Sequence, residues 1–291
     1  MIIRPRRSVL YMPGSNARAL EKAKSLPADG VILDLEDAVA PDAKQAARKQ
    51  VADTVKAGGF GAREVFIRVN GLDTAWHADD LHAAAHAAPD GILVPKISNP
   101  DQLEMIGRRL LDMSADHKTR VWAMIETPIA VLNIREIAAA AADTETRLAG
   151  FVMGTNDLSK ETRARQVAGR APMLPWLAAC LAAARAYGID ILDGVYNDIG
   201  NAQGFADECA QARDMGFDGK TLIHPNQIGP CNAAFSPTPD EIAQAKKTIA
   251  EFDKPENKNK GVVAIDGRMV ERMHAEMARR TVAIAEAIVG R

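Results

Sequence analysis

The sequence predicts an α/β protein of the TIM (β/α)8 barrel class with a C-terminal extension. Short apolar segments, many of them β-branched, alternate with longer alanine-rich amphipathic segments, as expected for a parallel sheet covered by helices. Eight such units fit into about 250 residues, the usual size of a TIM barrel. An open doubly wound sheet has the same local pattern, but no Gly-x-Gly-x-x-Gly motif follows the first strand, which favours the barrel.

Each predicted strand is a short apolar run bounded by turn residues or by polar residues. The predicted strands cover residues 7–13, 29–36, 64–70, 91–96, 120–126, 149–155, 189–195 and 217–224. The predicted helices cover residues 16–26, 42–57, 76–87, 100–113, 129–142, 174–187, 201–215 and 239–252. The fifth helix, with the sequence IAVLNIREIAAAA, combines strong helix formers with apolar residues spaced three and four apart.

The last part of the chain departs from this alternation. Residues 253–261, DKPENKNKG, are charged and interrupted by proline and glycine, which is typical of a linker. The residues after them predict a hairpin-like piece followed by a helix. We therefore expect a barrel domain over residues 1–252 and a linker with a C-terminal segment over residues 253–291.

Composition excludes several classes of protein. The chain has 291 residues, of which 47% are hydrophobic and 25% charged, an ordinary globular balance. Its net charge of −2 gives no electrostatic case for binding nucleic acid or an anionic membrane. No apolar run approaches the ~18 residues of a membrane span, and no signal-peptide core is seen. Three cysteines without Cys-x-x-Cys spacing indicate reduced, buried thiols in a cytoplasmic protein.

Polar side chains concentrate where the predicted strands end, which is where TIM barrels carry their catalytic groups. They are Tyr11, Glu36, Asp37, Arg68, Asn70, Lys96, Glu126, Asn156, Asp157, Asp193 and His224. The strand interiors remain aliphatic. This distribution indicates a functional site at the C-terminal face of the barrel.

Glu126 and Asp157 end consecutive strands, which lie about 4.8 Å apart in a sheet, so their carboxylates can converge on one cation. Two carboxylates with water and a chelating ligand suit Mg²⁺. The alternative is a role in helix N-caps, since Thr127-Pro128 and Asp157 each precede a helical stretch. The histidines are scattered and no cysteine cluster exists, which disfavours zinc.

Arg68 lies on an apolar strand, where its guanidinium requires an anion. A substrate carboxylate suits its planar fork, and an ion pair with an acid of a neighbouring strand such as Glu36 is the structural alternative. Lys96 is a weaker candidate for a Schiff-base lysine. His224 is read as pocket wall, because a histidine at a strand end is often a hydrogen-bonded spacer.

The chain resembles the HpcH/HpaI aldolase–citrate lyase beta family, and most closely its citrate lyase beta-like and malyl-CoA or citramalyl-CoA lyase branch. The motifs that carry the resemblance, in order along the chain, are RSVLYMPG, DLEDAV, FIRVNG, VPK, MIET, GTNDL, DG, KTLIHPNQI and DGRMV. The resemblance implies a TIM barrel assembled as a homotrimer or hexamer. It also implies cleavage or formation of a carbon–carbon bond beside a CoA thioester.

The same resemblance implies roles for individual residues. Mg²⁺, with Mn²⁺ as a substitute, is expected at Glu126 and Asp157, and the substrate carboxylate at Arg68. The residues implied to bind CoA are Tyr11, Arg18, Lys22, Ile223 and His224. On sequence alone Arg18 and Lys22, four residues apart, form an exposed helix face.

The acids in DGVILDLEDAVAP interrupt an apolar strand, where an unpaired carboxylate is costly. The implied chemistry accounts for them, because a dication and an arginine nearby make ionised carboxylates tolerable. Glu36 and Asp37 are expected to hold metal-bound waters or to orient Arg68. Asp34, in phase with Glu36, is expected to pair with a neighbouring strand.

Asp266 precedes a glycine in the C-terminal segment, where a turn-forming Asp-Gly is the simple interpretation. The resemblance implies instead a lid that covers the active site of a neighbouring subunit. Asp266 would then act in trans as a general acid–base.

The leading functional prediction is a Mg²⁺-dependent carbon–carbon lyase. It would split a 3-hydroxyacyl-CoA with a terminal carboxylate into an acyl-CoA and a 2-oxo acid. The alternatives are a citrate lyase beta subunit whose substrate hangs from an acyl-carrier partner, a malate synthase- or thioesterase-type activity, and a weakly active homologue that binds 2-oxo acids.

Overall fold

The computed structural model describes residues 4–290, and within this range eight parallel strands close a barrel in the order of the sequence. The strands are β1 (Ser8–Pro13), β2 (Gly30–Asp34), β3 (Glu64–Arg68), β4 (Gly91–Val94), β5 (Arg120–Ile125), β6 (Leu148–Met153), β7 (Asp190–Asp193) and β8 (Gly219–Leu222). The first strand pairs with both the second and the eighth, which closes the sheet. The TIM barrel prediction is therefore confirmed, and the open sheet is excluded.

The helices lie between the strands and beyond the last one. They are α1 (Ala17–Ala23), α2 (Lys44–Ala57), α3 (His77–Ala87), α4 (Pro100–Asp112), α5 (Pro128–Leu132), α6 (Ile134–Ala139), α7 (Thr155–Thr162), α8 (Leu174–Ala186), α9 (Ala202–Met215), α10 (Ile228–Phe235), α11 (Pro239–Asp253) and α12 (Arg272–Val289). Within residues 4–290 none of them is both long enough and apolar enough to cross a bilayer.

The fifth predicted helix is broken where continuous helix was expected. Asn133 separates α5 from α6, with backbone angles outside the helical range, and its side-chain amide donates to the Ser98 carbonyl at 2.9 Å. Helices α7 and α10 were not predicted, because their sequences have little of the apolar spacing seen in the other helices. At the break between α5 and α6, the hydrogen bond from Asn133 to the Ser98 carbonyl thus overrides local helix propensity.

Alternation of side chains along the strands decides which residues enter the barrel. A cluster of buried residues fills the interior: Val9, Ile32, Phe66, Leu93, Trp122, Met124, Val152 and Leu192. Residues two positions further along an extended strand lie on the same face. This carries Tyr11, Asp34, Arg68 and Glu126 into the interior at the C-terminal ends of their strands.

The three cysteines are buried thiols, as predicted. Cys180, Cys209 and Cys231 form no disulfide. Burial raises the pKa of Cys180 to about 12, so this thiol stays protonated and unreactive at neutral pH.

The described chain divides into two compact units, one of residues 6–234 and one of residues 4–5 with 235–290. In the second unit α11 packs on α12, and Phe252, Val263, Ile265 and Ala275 form a small core. Strands β9 (Val262–Ile265) and β10 (Arg268–Glu271) form the predicted hairpin. By these contacts α11 belongs with the C-terminal segment. The boundary at residue 252, between the barrel domain and the lid segment, remains a prediction.

Candidate active site

Asp34 and Arg68 lie directly opposite each other on β2 and β3 and form the rigid base of the site. Arg68 donates from Nε to Asp34 Oδ1 and from Nη2 to Asp34 Oδ2, each at 2.6 Å. Burial raises the pKa of Asp34, but the guanidinium more than offsets this and holds it below the ordinary value. The predicted pairing of Asp34 with a neighbouring strand is confirmed.

The remaining guanidinium nitrogen of Arg68 faces the other acids of the opening segment. Nη1 lies 2.7 Å from Glu36 Oε2 and 3.1 Å from Asp37 Oδ2. The Tyr11 ring lies under the guanidinium, with 4.9 Å between the ring centroid and Cζ. The fork predicted to receive a substrate carboxylate is thus occupied by Asp34, and a ligand can reach only Nη1.

Glu36 is a partly buried carboxylate in an acidic environment. Burial is the largest cause that raises its pKa, to about 7, and Asp37 and Asp34 add to it, while Arg68 lowers it. Its Oε2 lies close to Arg68 but accepts no well-aligned hydrogen bond within residues 4–290. This carboxylate can therefore exchange a proton near neutral pH.

Lys44 fixes the backbone of this acidic segment, a role that was missed in the sequence. Its ammonium donates to the carbonyls of Leu35 and Glu36 at 2.8 and 2.7 Å, and to Asn70 Oδ1 at 2.7 Å. A pattern in α2 points to it, because Lys44 shares the buried face with Ala47 and Val51, three and seven residues further on. A lysine on an apolar helix face needs acceptors, and here it finds three.

Glu126 is a deeply buried carboxylate at the mouth of the barrel, with 2% of its surface exposed. Its Oε1 accepts the backbone N–H of Lys96 at 2.9 Å. Gly154 makes room for it, since a Cβ there would lie 2.4 Å from Glu126 Cβ and 2.5 Å from Oε2. Burial raises the pKa of Glu126 to about 8, and Glu36 and Asp157 add to the rise.

Asp157 lies near Glu126 but on the first turn of α7 and not at the end of β6, where it was predicted. It is the third residue of α7 and half-buried, and it is close enough to contribute to the raised pKa of Glu126. The helix-cap alternative is confirmed at Thr127, whose hydroxyl accepts the Ala130 N–H and caps α5 with Pro128 as its first residue. It is wrong for Asp157, which lies inside α7 behind the cap residue Gly154.

The donor set fits a hard divalent cation. No three His, Cys, Asp or Glu side chains among residues 4–290 form a complete metal cage, so two carboxylates with water and ligand oxygens would complete the coordination. A carboxylate whose pKa is raised by burial and by acidic neighbours, such as Glu126, is stabilised in its ionised form when a cation binds beside it. Glu126 and Asp157 are the residues placed to hold it.

Lys96 follows β4 at the rim and stays protonated. Burial lowers its pKa, but Glu36, Asp157 and Glu126 more than offset this and raise it above the ordinary value. A protonated amine is not a nucleophile, so the Schiff-base interpretation has no support.

The residues expected to bind CoA do not form one group. Tyr11 faces the barrel interior beneath Arg68, and its buried hydroxyl has no partner among residues 4–290. Arg18 and Lys22 are exposed on α1. Ile223 is 36% exposed after β8, and His224 accepts the Asn226 N–H at 3.2 Å as the cap of the turn that follows. Their contact with CoA remains a prediction.

Asp193, one of the polar residues at the strand ends, does not point into this site. It follows Leu192 of the interior cluster, so its side chain lies on the opposite face of β7, between sheet and helices. There it is fully buried and accepts hydrogen bonds from Arg170 and Lys220, each at 2.8 Å. Arg170 also lines a cavity of about 370 Å³ between the segment 165–173, the loop after β7 and α9.

Asp266 occupies the two-residue turn of the β9–β10 hairpin. Both Asp266 and Gly267 have positive φ, at 52° and 74°, which is the backbone of a tight hairpin turn. Its carboxylate pairs with Lys247, with 2.6 Å between Nζ and Oδ2, and is 58% exposed. The turn interpretation is confirmed, and the role in trans remains a prediction.

Comparison with known proteins gives consistent matches along most of the chain. The sequence profile of the HpcH/HpaI aldolase/citrate lyase family matches residues 7–225. The (3S)-malyl-CoA thioesterase of Cereibacter sphaeroides strain KD131 is 49% identical over 284 residues, which cover 98% of this chain and 96% of the relative. The citrate lyase subunit beta of Escherichia coli K12 is 32% identical over 288 residues, which cover 97% and 94%.

A solved structure supports the same relationship. The CitE protein of Mycobacterium tuberculosis, in complex with magnesium, acetoacetate and coenzyme A, superposes with a TM-score of 0.78 at 29% identity. The superposition covers 98% of this chain and 100% of that one. The likeness therefore includes the C-terminal segment as well as the barrel.

Proposed function

This chain belongs to the HpcH/HpaI aldolase/citrate lyase family, and we propose that it is a Mg²⁺-dependent enzyme that hydrolyses the thioester of a malyl-CoA-type substrate. The observation that carries the choice of substrate is the 49% identity, over nearly the whole chain, to relatives named as (3S)-malyl-CoA thioesterases. The carboxylate pair at the mouth of the barrel supports the use of a metal.

Glu126 and Asp157 hold the Mg²⁺ in this proposal, and Mn²⁺ is a chemically suitable substitute. When bound, the dication draws electron density from the substrate oxygens that it coordinates and so makes the adjacent carbon more electrophilic. Arg68 directs Nη1 at the same space and offsets negative charge that develops on oxygen.

Glu36 is the general base of the hydrolysis. Its carboxylate takes a proton from water while the water oxygen bonds to the thioester carbon. The carbon–sulfur bond then breaks, and Glu36 returns the proton to the CoA sulfur, so the products are a hydroxy dicarboxylate and free CoA. A partly buried carboxylate with a pKa of about 7 suits this exchange. Asp37, 3.1 Å from Arg68, orients the guanidinium.

Carbon–carbon cleavage is the second candidate, and the 32% identity to citrate lyase beta subunits favours it. In that reaction the substrate hydroxyl loses its proton to Glu36. The bond between the hydroxyl-bearing carbon and the carbon next to the thioester breaks, which gives a 2-oxo acid and the enolate of an acyl-CoA. Asp266 would then protonate the enolate. Carbon–carbon cleavage is the leading prediction from the sequence alone, and we rank it second here because the identity to thioesterases is higher.

CoA is proposed to run over the outer rim of the barrel. Arg18 and Lys22 are exposed and four residues apart on α1, which suits the phosphates of CoA. Ile223 and His224, after β8, supply an apolar and a polar contact along the same groove. Tyr11 contributes to the inner end, where its ring supports Arg68.

The enzyme is proposed to act as a homotrimer or hexamer in which the C-terminal segment closes the active site of a neighbouring subunit. Met269, Met273 and Met277 are exposed along β10 and α12, and such an apolar stripe suits a contact between chains. Asp266 sits in the turn beside it and is exposed enough to reach a second chain. The lid would shield the bound substrate from bulk solvent and enclose with it the water that Glu36 activates.

Product analysis separates the candidates. Purified protein with Mg²⁺ and (3S)-malyl-CoA should release malate and free CoA, detected with a thiol reagent. Cleavage would instead give glyoxylate and acetyl-CoA without a free thiol. Citramalyl-CoA and a citryl thioester on an acyl carrier, tested in parallel, address the other lyase substrates. Little or no turnover of any of them, with retained binding of 2-oxo acids, would favour the weakly active homologue.

A further inference from the structure

The backbone at Lys96 is unusual for a lysine. Its φ of 54° lies in the left-handed region, which glycine adopts freely and other residues adopt at a cost. The conformation turns the Lys96 N–H onto Glu126 Oε1. Glycine would make the same hydrogen bond without strain. The strained lysine therefore indicates that its side chain has a role of its own.

The Lys96 ammonium is available to bind a ligand. Its side chain is exposed at the rim and makes no hydrogen bond or ion pair with residues 4–290. Glu36, Glu126 and Asp157 act on it at longer range. By contrast, Arg68 has two of its nitrogens on Asp34 and the third beside Glu36 and Asp37.

An anionic ligand must therefore enter a site with an excess of negative charge. The acids at the mouth are Asp34, Glu36, Asp37, Glu126 and Asp157, and the cations buried among them are Arg68 and Lys44. When the five acids are ionised, these two cations and a bound dication supply four positive charges against five negative ones, so the group stays negative. A carboxylate ligand consequently needs a further cation, and Lys96 stands at the rim with its donors free.

We propose that the Lys96 ammonium binds the carboxylate of the substrate and so selects anionic, 2-oxo- or 2-hydroxy-acid ligands over neutral acyl groups. This inference rests on the proposed function and adds a specificity residue to the same site. The left-handed backbone then has two uses: it holds Glu126 through the N–H and projects the side chain over the mouth. The contact is a charge-assisted hydrogen bond to a carboxylate.

The proposal predicts opposite effects on two ligands. Removing the ammonium relieves its repulsion of Mg²⁺, so Mg²⁺ should bind equally well or more tightly. Pyruvate, a small 2-oxo acid, should bind more weakly to the Mg²⁺-loaded protein. A residue with a structural role alone would weaken both.

The test is calorimetric titration of wild type, Lys96→Gln, Lys96→Gly and Lys96→Arg, first with Mg²⁺ alone and then with pyruvate at saturating Mg²⁺. Lys96→Gly suits the positive φ and keeps the N–H, so it guards against loss of the fold. Lys118→Gln, an exposed lysine before β5 at the opposite end of the barrel, controls for net charge.

Loss of about tenfold or more in pyruvate affinity is expected for the Gln and Gly variants, with Mg²⁺ affinity retained and Lys96→Arg close to wild type. Unchanged pyruvate affinity in both variants would overturn the assignment, and so would parallel loss of Mg²⁺. If wild type itself bound no pyruvate in the presence of Mg²⁺, this inference would be overturned. The proposed function is decided separately, by release of free CoA from (3S)-malyl-CoA, so the two failures are distinguishable.

Discussion

The guanidinium of Arg68 and the carboxylate of Asp34 form a two-pronged pair between neighbouring strands, with 2.6 Å at each contact. Both partners are nearly inaccessible, with side chains 7% and 1% exposed. The sequence predicted that Arg68 binds the substrate. In the structure Asp34 holds the guanidinium rigid. Only its outermost nitrogen remains for the ligand.

Arg68→Lys should therefore impair both stability and turnover. An ammonium cannot occupy both oxygens of Asp34 and reach Glu36 as well, so a buried carboxylate loses a partner. We expect the free energy of unfolding to fall by about 2–3 kcal/mol and kcat to fall at least about a hundredfold. Chemical denaturation and steady-state kinetics measure the two effects.

Arg7→Lys is the matched control for that variant. Arg7 forms the same type of fork with Asp29, at 2.8 Å for both contacts, but at the N-terminal end of the barrel. It should lower stability to a similar degree while kcat stays near the wild-type value. Equal losses of kcat in both variants would show that the Arg68 effect is one of folding.

Glu126→Gln and Asp157→Asn should each abolish Mg²⁺-dependent turnover. Each removes one anionic ligand from a two-carboxylate site while keeping the shape of the side chain. Calorimetry should show loss of Mg²⁺ binding with an unchanged circular dichroism spectrum. Glu145→Gln, an exposed acid before β6, is the control and should behave as wild type. Full wild-type activity in excess chelator would contradict the metal site.

Gly154→Ala should disable the enzyme although it adds a single methyl group. The new Cβ would lie within 2.6 Å of Glu126, so that side chain must move away from its position. Mg²⁺ affinity and activity should both fall at least about tenfold. Gly229→Ala is the control, since a Cβ there meets nothing within 4 Å. A Gly154→Ala enzyme with normal Mg²⁺ affinity would show that the position of Glu126 is not critical.

The metal-free protein should lose stability as pH rises from about 5 to about 9. Glu126 and Glu36 have folded-state pKa values of about 8 and about 7, above the ordinary 4.5 of glutamate. The folded chain thus holds protons that the unfolded chain has released, which makes unfolding more favourable with each step in pH. Thermal melting in chelator measures this slope, and Glu126→Gln should reduce it.

Added Mg²⁺ should reverse that trend. The cation competes with protons for the same carboxylates, so the increase in Tm caused by Mg²⁺ should grow with pH across the same range. An increase in Tm that does not depend on pH would place the cation elsewhere.

Asp266 should act on a neighbouring subunit. Asp266→Asn is expected to lose most activity and to keep Mg²⁺ binding, because the residue lies on the hairpin and not among the carboxylates of the barrel. Mixing it with Arg68→Ala protomers should restore part of the activity, since some hybrid sites receive both intact groups. Absence of recovery after verified subunit exchange would argue for action within one chain.

The barrel could be predicted from the sequence because strand burial and helix amphipathicity are local properties. Each βα unit shows its own apolar period, and the C-terminal ends of parallel strands must meet at one face. Arg68, Glu126 and Asp157 were therefore found from their positions alone. The boundaries of helices were less certain, as the break at Asn133 shows, because a side-chain hydrogen bond to Ser98 is not a local property.

Tertiary structure alone decided how the charges are shared. That Arg68 binds Asp34 through two nitrogens, that Lys44 serves the backbone of Glu36, and that Asp193 faces away from the site depend on strand register and side-chain direction. A one-residue change of register would turn the strand residues Asp34, Arg68 and Asp193 to the opposite face of the sheet. The sequence thus determined which chemical groups gather at the mouth of the barrel. The fold determined which of them are already paired. Hydrogen-bond partners depend on the positions of side chains in three dimensions, which no periodic pattern in the sequence encodes.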